Sequence, residues 1–489
     1  MRKLKTILLI AIVIVACHAV QAQVAEIQEY AQVRVNERTF DAAFIGCDGT
    51  RAVYVENAST RKKQKTELVA YTMDRAELVR LPLTEGTDTR CYGGFINGQY
   101  VDLLMADWKG DDMTLYRDRR NVQTLQPVGE RLTLADYKGT SGDKMAFRLA
   151  SSPNQKLLAL MYYVGRETQA TEVQVGLYSR ELEEYWKVDT KVRNTSMLHL
   201  TDSGEVALGG MTAQGCKITI IDGENENEYV IPKEDLPGNT QEMSLARIAG
   251  GKIYIVATQR IDSKDYIAAL NGTQVDRVVS VCYDTKRKST TTHSYKINDQ
   301  DRARLIGGVK DDHKWQKNDW KSVQFFSLNQ TMVDRDGYYA MMDQTWTLTV
   351  DGRLASEDRS GQMVMRVNND GEIEWVRVFR MMQTAPAGAR PMAHYRWVST
   401  AKGPMLVWAE AKKSADYAEG KPVVNFDVFR TSGVLTAAII GRDGRLVRQH
   451  WPLPGRTGIQ GRPVLMENGD WLLLQRGRSK GRLMVLKVK

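Results

Sequence analysis

Beyond its first 22 residues, this sequence has no long apolar run and few cysteines. No later segment approaches the roughly twenty consecutive apolar residues that a membrane-spanning helix needs, so we expect no transmembrane segment in the mature chain. The five cysteines of the 489 residues form no CxxC motif and no Cys/His cluster, which leaves a structural zinc site without ligands. Apolar residues almost never recur with helical spacing, and this excludes a mainly helical fold.

Motifs of the common enzyme classes are also missing. The sequence has no HExxH, no P-loop and no GxSxG in a suitable context. Asp336, Asp370 and Asp443 precede glycines in tight turns, where Asp is favoured for backbone reasons. No two histidines of the mature chain have metal-ligand spacing; they are His199, His293, His313, His394 and His450. We therefore expect neither a metal nor a cofactor.

The N-terminus is typical of an exported protein. Three basic residues lie within the first five positions, residues 7–16 are apolar, and Val20-Gln21-Ala22 resembles a signal-peptidase site. This pattern predicts a signal peptide at 1–22 and a mature chain at 23–489. The lipobox-like Ile14-Val15-Ala16-Cys17 is an alternative, in which Cys17 is acylated and forms a lipid anchor. In both cases we expect a periplasmic, outer-membrane-associated or secreted protein.

The charge of the mature chain is mildly positive. Removing residues 1–22 removes three basic residues and no acidic ones, so 65 Lys+Arg face 59 Asp+Glu, a formal charge of +6. This excess slightly favours anionic partners. The basic runs at 61–65 and 286–288 lack the interleaved aromatics of nucleic-acid sites, so we predict solvated turns and no nucleic-acid partner.

Four cysteines remain after residue 22. An even count in an exported protein permits two disulfides. Each cysteine lies in or beside an apolar strand, however, which favours buried free thiols. The four are Cys47, Cys91, Cys216 and Cys282.

A repeat covers most of the mature chain. In each copy a strand ends at a turn carrying Gly, Asn or Asp, and an apolar strand follows at once, as in "DRDGYYAMM". A loop of variable length, a third strand, a second tight turn and a fourth strand come next, which is a succession of hairpins. Eight copies occur, with turn residues Gly49, Gly98, Asn154, Gly204, Gly250, Gly337, Gly403 and Gly469.

Such sheets cannot bury both faces alone, so neighbouring sheets must stack. A radial stack makes a β-propeller, and the sequence predicts an all-β propeller of eight four-stranded blades. Seven blades and a pair of β-sandwiches are the alternatives. The eighth copy stops inside its third strand at Lys489, whereas residues 26–35, "EIQEYAQVRV", form a spare strand before the first copy. We expect this N-terminal strand to complete the last blade and to remove its open edge.

One copy also carries a family resemblance. "DRDGYYAMM" followed by "MVMRVNNDGEIEW" resembles the blade repeats of exported bacterial propellers, including quinoprotein-like blades, which commonly end in Gly-x-x-x-Trp. Gly371 to Trp375 fits that tail, and "GRDGRLVRQHW" fits the turn but spaces Trp451 differently. The resemblance implies the propeller fold. Quinoprotein dehydrogenases also carry a vicinal disulfide, and this chain has no adjacent cysteine pair, so the resemblance does not extend to that activity.

Long insertions interrupt blades five to seven. They cover residues 258–277, 298–322, 343–362 and 409–433. The tight turns occupy one face of the ring, so these loops belong to the opposite face, where a rigid scaffold commonly presents binding residues. We expect them to form a raised lobe over one side of the ring.

The densest chemistry lies in "KDDHKWQKNDWK", Lys310 to Lys321. Aromatics beside carboxylates and amines suit sugar stacking or a protein hot spot. In the alternative interpretation, Trp315 and Trp320 only hold the insertion against the propeller. The candidate binding residues are Asp311, Asp312, His313, Trp315, Asp319 and Trp320, with Trp346 and Tyr417 from neighbouring insertions.

Two functions fit this pattern. The first is an exported binding scaffold that engages a protein or glycan partner through the loop face of blades five to seven. The second is a propeller-fold enzyme that cleaves glycans with a pair of carboxylates. A central funnel lined by carboxylates and aromatics would favour the enzyme, and a funnel filled by Met and Leu would favour the scaffold.

Overall fold

The computed structural model forms eight sheets from short antiparallel strands. Its helical elements include one four-residue helix, α1 (Lys412–Ala415), and one 3-10 turn, Lys233–Asp235, and residues 300–301 are helical as well. No helix in the described part of the chain is long and apolar enough to cross a membrane. The described residues are 25–34, 39–59, 64–73, 77–85, 88–139, 145–238, 240–260, 275–298, 300–301, 326–350, 353–386, 395–415, 426–427, 431–453, 457–466, 468–476 and 480–488.

Blades one to four follow one another along the chain, each with its strands in sequence order. Blade one contains β2 (Thr39–Cys47), β3 (Arg51–Ser59), β4 (Gln64–Thr72) and β5 (Glu77–Glu85). Blade two contains β6 (Thr89–Asn97), β7 (Tyr100–Lys109), β8 (Asp112–Asn121) and β9 (Leu132–Tyr137). Blade three contains β10 (Met145–Ser151), β11 (Leu157–Arg166), β12 (Gln169–Ser179) and β13 (Glu184–Asp189). Blade four contains β14 (Met197–Leu200), β15 (Val206–Thr212), β16 (Gly215–Ile221) and β17 (Glu226–Pro232).

Blades five to eight repeat this order with two departures. Blade six gains a fifth strand, and blade eight takes its outer strand, β1 (Ala25–Arg34), from the N-terminus. Blade five contains β18 (Thr240–Ala249), β19 (Lys252–Arg260), β20 (Val275–Asp284) and β21 (Ser289–Lys296). Blade six contains β22 (Phe326–Asp334), β23 (Gly337–Val350), β24 (Arg353–Asn368), β25 (Ile373–Pro386) and β28 (Phe426–Asp427). Blade seven contains β26 (Arg396–Thr400), β27 (Gly403–Ala411), β29 (Gly433–Ile440) and β30 (Leu446–Pro452), and blade eight adds β31 (Gly458–Leu465), β32 (Trp471–Arg476) and β33 (Lys480–Val488).

The chain is therefore an eight-bladed β-propeller, as the repeat predicts. Each of the eight turn positions found in the sequence lies at the connection between a first and a second strand. Seven of them are glycines with positive φ, a conformation that glycine adopts without steric cost. In blade three the positive φ of 58° falls on Gln155, one residue after Asn154.

The hydrophobic cores lie between the blades. Eight clusters of buried side chains are found in the described chain, one at each interface between neighbouring blades, including the interface between blades eight and one. Strand β3 shows how the sequence produces them. Ala52 and Tyr54 pack toward blade eight, whereas Val53 and Val55 pack toward blade two. Because successive side chains of a strand point to opposite faces, an inner strand buried on both faces must be continuously apolar.

The N-terminal strand closes the ring. Strand β1 pairs antiparallel with β33, from Ala25 opposite Val488 to Arg34 opposite Lys480. Ala25 is fully buried in the cluster between blades seven and eight, and its N–H donates to Gln449 Oε1 of blade seven at 3.1 Å. The alternatives of seven blades or two sandwiches are thereby excluded.

The turn between the third and fourth strands of a blade contacts the preceding blade. Trp375 Nε1 of blade six donates to Arg442 O in this turn of blade seven at 2.7 Å. Tyr254 of blade five likewise donates to Asn369 O in the turn of blade six at 2.6 Å. Gly371 has φ +86°, and a Cβ there would lie 2.5 Å from Cβ of Cys282 in blade five. The Gly371-to-Trp375 tail therefore fixes blade six to both of its neighbours.

A buried ion pair lies inside blade two. Asp102 on β7 is fully buried and faces Arg119 across the β7–β8 pair. Arg119 donates to both carboxylate oxygens, at 2.7 and 2.9 Å, and Arg117 Nε lies 3.7 Å from the same carboxylate. Arg117 also donates to Glu181 O of blade three at 3.2 Å, so the charged cluster links two blades.

Candidate functional site

Most of the site residues predicted from the sequence lie outside the described residues. This applies to Asp311, Asp312, His313, Trp315, Asp319, Trp320 and Tyr417, and to the signal peptide with Cys17. Trp346 lies on β23, opposite Asp358 of β24. Their roles in binding stay predictions.

Blade six rises above the ring on the loop face. Its strands β23, β24 and β25 have 14, 16 and 14 residues. Strand β22 pairs with β23 only as far as Gln344. Residues 345–350, 353–361 and 380–386 therefore continue as a three-stranded sheet, which we call the blade-six lobe. At about 3.4 Å per residue, six residues of β23 extend roughly 20 Å beyond β22. The segment 343–362, expected as a loop, is a strand hairpin in its described part.

The base of the lobe is fixed to blade seven. Strand β28, from the 409–433 insertion, pairs in parallel with β25 through Phe426 opposite Gln383. Phe426 is fully buried, and Gln383 Nε2 donates to Ala409 O at 2.7 Å. These contacts connect the described parts of the blade-six and blade-seven insertions, and the raised lobe predicted over blades five to seven stays a prediction.

Buried polar side chains below the lobe connect blade six to the start of blade seven. Tyr395 donates to Asp343 Oδ2 at 2.6 Å, and Trp397 Nε1 donates to Gln362 Oε1 at 3.3 Å. All four side chains are buried. A buried polar group that loses its hydrogen bond costs free energy. These two hydrogen bonds therefore favour one position of blade six, and of the lobe that extends from it, against blade seven.

A second polar group lies at the end of blade seven. Thr436 Oγ1 contacts a carboxylate oxygen of Glu410 and lies 2.8 Å from Nδ1 of His450. Burial raises the pKa of Glu410. Thr436 is fully buried, so its hydroxyl cannot meet a substrate. We interpret this group as part of the packing of blade seven.

A cavity lies in the central channel of the ring. It has a volume of about 800 Å³ and is lined by residues of six blades, mostly from their first strands. Its wall includes Ser152 and Gln155 from the first turn of blade three and Arg180 from the second turn of that blade. The cavity therefore opens toward the face that carries the tight turns, opposite the blade-six lobe.

The lining of this channel cavity is aromatic, hydroxylic and cationic. Among the described residues that line it, the charged ones are Arg180 and Arg396, and none is Asp, Glu, Lys or His. In its described part the cavity shows neither a carboxylate lining nor a filling of Met and Leu, so the funnel criterion separates neither function from the other. The polar wall includes Ser151, Gln155, Gln330 and Ser399, and the apolar wall includes Phe95, Trp397, Leu465 and Trp471.

No disulfide joins the cysteines of the described residues, which are Cys47, Cys91, Cys216 and Cys282. Burial raises the pKa of Cys91 to about 11 and that of Cys216 to about 12. The thiolate is the reactive form, so burial disfavours reaction of Cys91 and Cys216 at neutral pH. The described residues also contain no group of three or more His, Cys, Asp and Glu that could hold a metal ion.

His199 on β14 makes the native state sensitive to acid. Burial lowers its pKa from 6.5 to about 4. Between these values the unfolded chain binds a proton that the native chain does not, so stability falls as the pH drops through this window. We expect this group to cost roughly 2–3 kcal/mol of stability between about pH 6.5 and pH 4.

Denaturant unfolding at a series of pH values measures this effect. The His199→Gln variant should lose less stability than the wild type below about pH 6.5. His293→Gln, on the outer strand β21, is the matched control and should keep the wild-type pH dependence. Parallel curves for the wild type and His199→Gln would refute the assignment.

No known family model matches this chain, and the comparison with curated proteins finds no similar sequence. Similar solved structures include a WD40 domain and two proteins named as propellers. The WD40 domain of SCAP from fission yeast is 8% identical, with 95% of this chain and 98% of that chain covered and a TM-score of 0.36. The Dos1 propeller is 7% identical, with 94% of each chain covered and a TM-score of 0.41. The β-propeller domain of the Trilobed protease from Pyrococcus furiosus is 9% identical, with 86% of this chain and 97% of that chain covered and a TM-score of 0.37. Likeness at this level says nothing about function.

Sequence reasoning considered a central funnel but did not predict which residues line it. Its wall is built from residues far apart in the chain, such as Phe95, Arg180 and Leu465, which come together only when the ring closes. One signal was present in the sequence: Arg180 follows the apolar strand "VQVGLYS", in the second turn of its blade.

Proposed function

We propose that this chain is an exported, non-catalytic binding scaffold that engages a protein partner through the blade-six lobe. The lobe carries this proposal, because it is a sheet surface that extends roughly 20 Å beyond its neighbour strand and is fixed at its base by buried hydrogen bonds. Export is supported by the signal-peptide pattern of residues 1–22. β-Propellers commonly act as protein-interaction scaffolds.

A protein fits the lobe better than a glycan does. Stable protein interfaces bury about 800 Å² on each partner, and a raised sheet is an open surface on which a protein can lie. Glycan cleavage needs two carboxylates about 5–9.5 Å apart, and the described residues that line the channel cavity include none.

Shortening the lobe is expected to abolish partner binding while the ring stays folded. Thr345 pairs with Arg359, so replacing residues 346–358 by Asn-Gly closes the hairpin with a two-residue turn. The mature wild type is used to capture a partner from an envelope extract of the source cells. The affinity for the purified partner should then fall at least tenfold, about 1.4 kcal/mol, in the shortened variant.

Two further variants make this experiment specific. Tyr185→Ser removes an exposed aromatic from blade three and should bind like the wild type. Replacing residues 308–321 by a Gly/Ser linker tests the Asp311–Trp320 prediction separately. The proposal is wrong if the folded, shortened variant binds with wild-type affinity, or if a glycan array shows a glycan as the sole ligand.

A further inference from the structure

The channel cavity has a cationic group in its wall. Arg180 lies there, and the described residues that line the cavity include no carboxylate. Arg396, the second cation of the lining, donates to Tyr395 O at 2.8 Å and has further partners. A cavity of about 800 Å³ is within the range of small-molecule sites, about 300–1,000 Å³.

Arg180 is the cationic side chain of the wall that is suited to bind an anion. It lies in the second turn of blade three, with its guanidinium 5.7 Å from the ring centre of Phe95. Its Nε is buried and has no hydrogen-bond acceptor among the described residues. Neither Glu181 nor Glu183, its neighbours in the turn, forms an ion pair with it in this part of the chain. A buried donor without a partner costs free energy, which a bound anion would recover.

The rest of the wall suits an apolar body. Phe95, Trp397 and Trp471 present aromatic surface. Leu465 is 41% exposed although it lies inside the ring, because the cavity is open beside it. Exposed apolar surface next to a cation is complementary to a ligand that has both an apolar and an anionic end.

We propose that the channel cavity binds a small amphipathic acid, a carboxylate on an aromatic or aliphatic body. Arg180 holds the carboxylate, since a guanidinium forms paired hydrogen bonds with it. Phe95, Trp397, Trp471 and Leu465 surround the apolar body. This site is on the face opposite the blade-six lobe and does not depend on the partner proposed for the lobe.

The test uses the mature chain with four probes and follows tryptophan fluorescence and calorimetric binding. Hydrocinnamate and decanoate represent the proposed class, and their primary amides are neutral controls of the same shape. We expect saturable binding of at least one acid, and an affinity at least about tenfold weaker for its amide. Arg180→Gln should lower the affinity for the acid by a similar factor.

Arg287→Gln is the matched control, since Arg287 is in the turn between the third and fourth strands of blade five and does not line the cavity. It should bind like the wild type. Leu465→Glu places a negative charge in the wall and should also lower the affinity for the acid. This variant keeps the test valid if Arg180→Gln unfolds. Inorganic phosphate and an acetylated Asp-Phe-Asp peptide complete the series.

Several results would overturn the proposal. They are equal binding of acid and amide, wild-type binding by folded Arg180→Gln and Leu465→Glu, phosphate binding as tight as that of the acids, and capture of the peptide without the acids. The absence of saturable binding by both acids would overturn it as well. None of these outcomes affects the lobe proposal, which is measured with a different ligand.

Discussion

A chain that begins at residue 35, and so lacks β1, is expected to melt roughly 10 °C or more below a chain that begins at residue 23. The register of β1 on β33 contains eight residue pairs, and each net hydrogen bond contributes about 1 kcal/mol. Ala25 and Ile27 also pack in the cluster between blades seven and eight. Loss of the strand leaves the edge of β33 open, which favours aggregation.

Adding the missing strand separately checks this interpretation. A synthetic peptide of residues 25–34 should raise the melting temperature of the shortened chain, whereas a scrambled peptide of the same composition should not. Scanning calorimetry measures both. Equal melting temperatures for the two chain lengths would contradict closure by β1.

Asp102→Ala is expected to destabilise the fold by about 3–5 kcal/mol. Asp102 is fully buried and paired with Arg119, so its removal leaves two guanidinium groups without their carboxylate. Glu228→Ala is the matched control, because its pair with Lys217 is about half exposed and such pairs contribute about 0–1 kcal/mol. Denaturant unfolding measures the difference.

An equal loss of stability in Asp102→Ala and Glu228→Ala would contradict the claim that the buried Asp102 pair contributes more to the free energy of unfolding than an exposed pair. The Asp102→Asn variant separates charge from size. It keeps the side-chain volume but not the ion pair, so it should lose most of the stability that Asp102→Ala loses.

The ring could be predicted from the sequence because its signals are local. Turn residues such as Gly49 and Gly98 require a positive φ, and strands such as β3 are apolar on both faces, which only blade stacking explains. The closing strand followed from counting strands, since the last blade lacked one. These features repeat eight times, so errors in single strand boundaries do not change the architecture.

The candidate sites could be predicted only in part. The raised lobe was expected from insertion lengths, but Trp346 and Ser356 were assigned to a loop, because a hairpin with Thr, Ser, Glu and Asp on it resembles a polar insertion. Arg180 was the one local signal of the channel cavity, and its position alone does not define the lining, since Phe95, Arg180 and Leu465 belong to three blades. Sites between blades depend on the closed ring and are invisible to a single repeat.

The most direct test of the account is hydrogen exchange of the mature chain with and without its captured protein partner. We expect partner-dependent protection of amides at 345–361 and 380–386, with no change in the turns that surround the channel cavity. Protection confined to those turns, or absent from the blade-six lobe, would contradict the claim that this propeller binds its partner through the lobe.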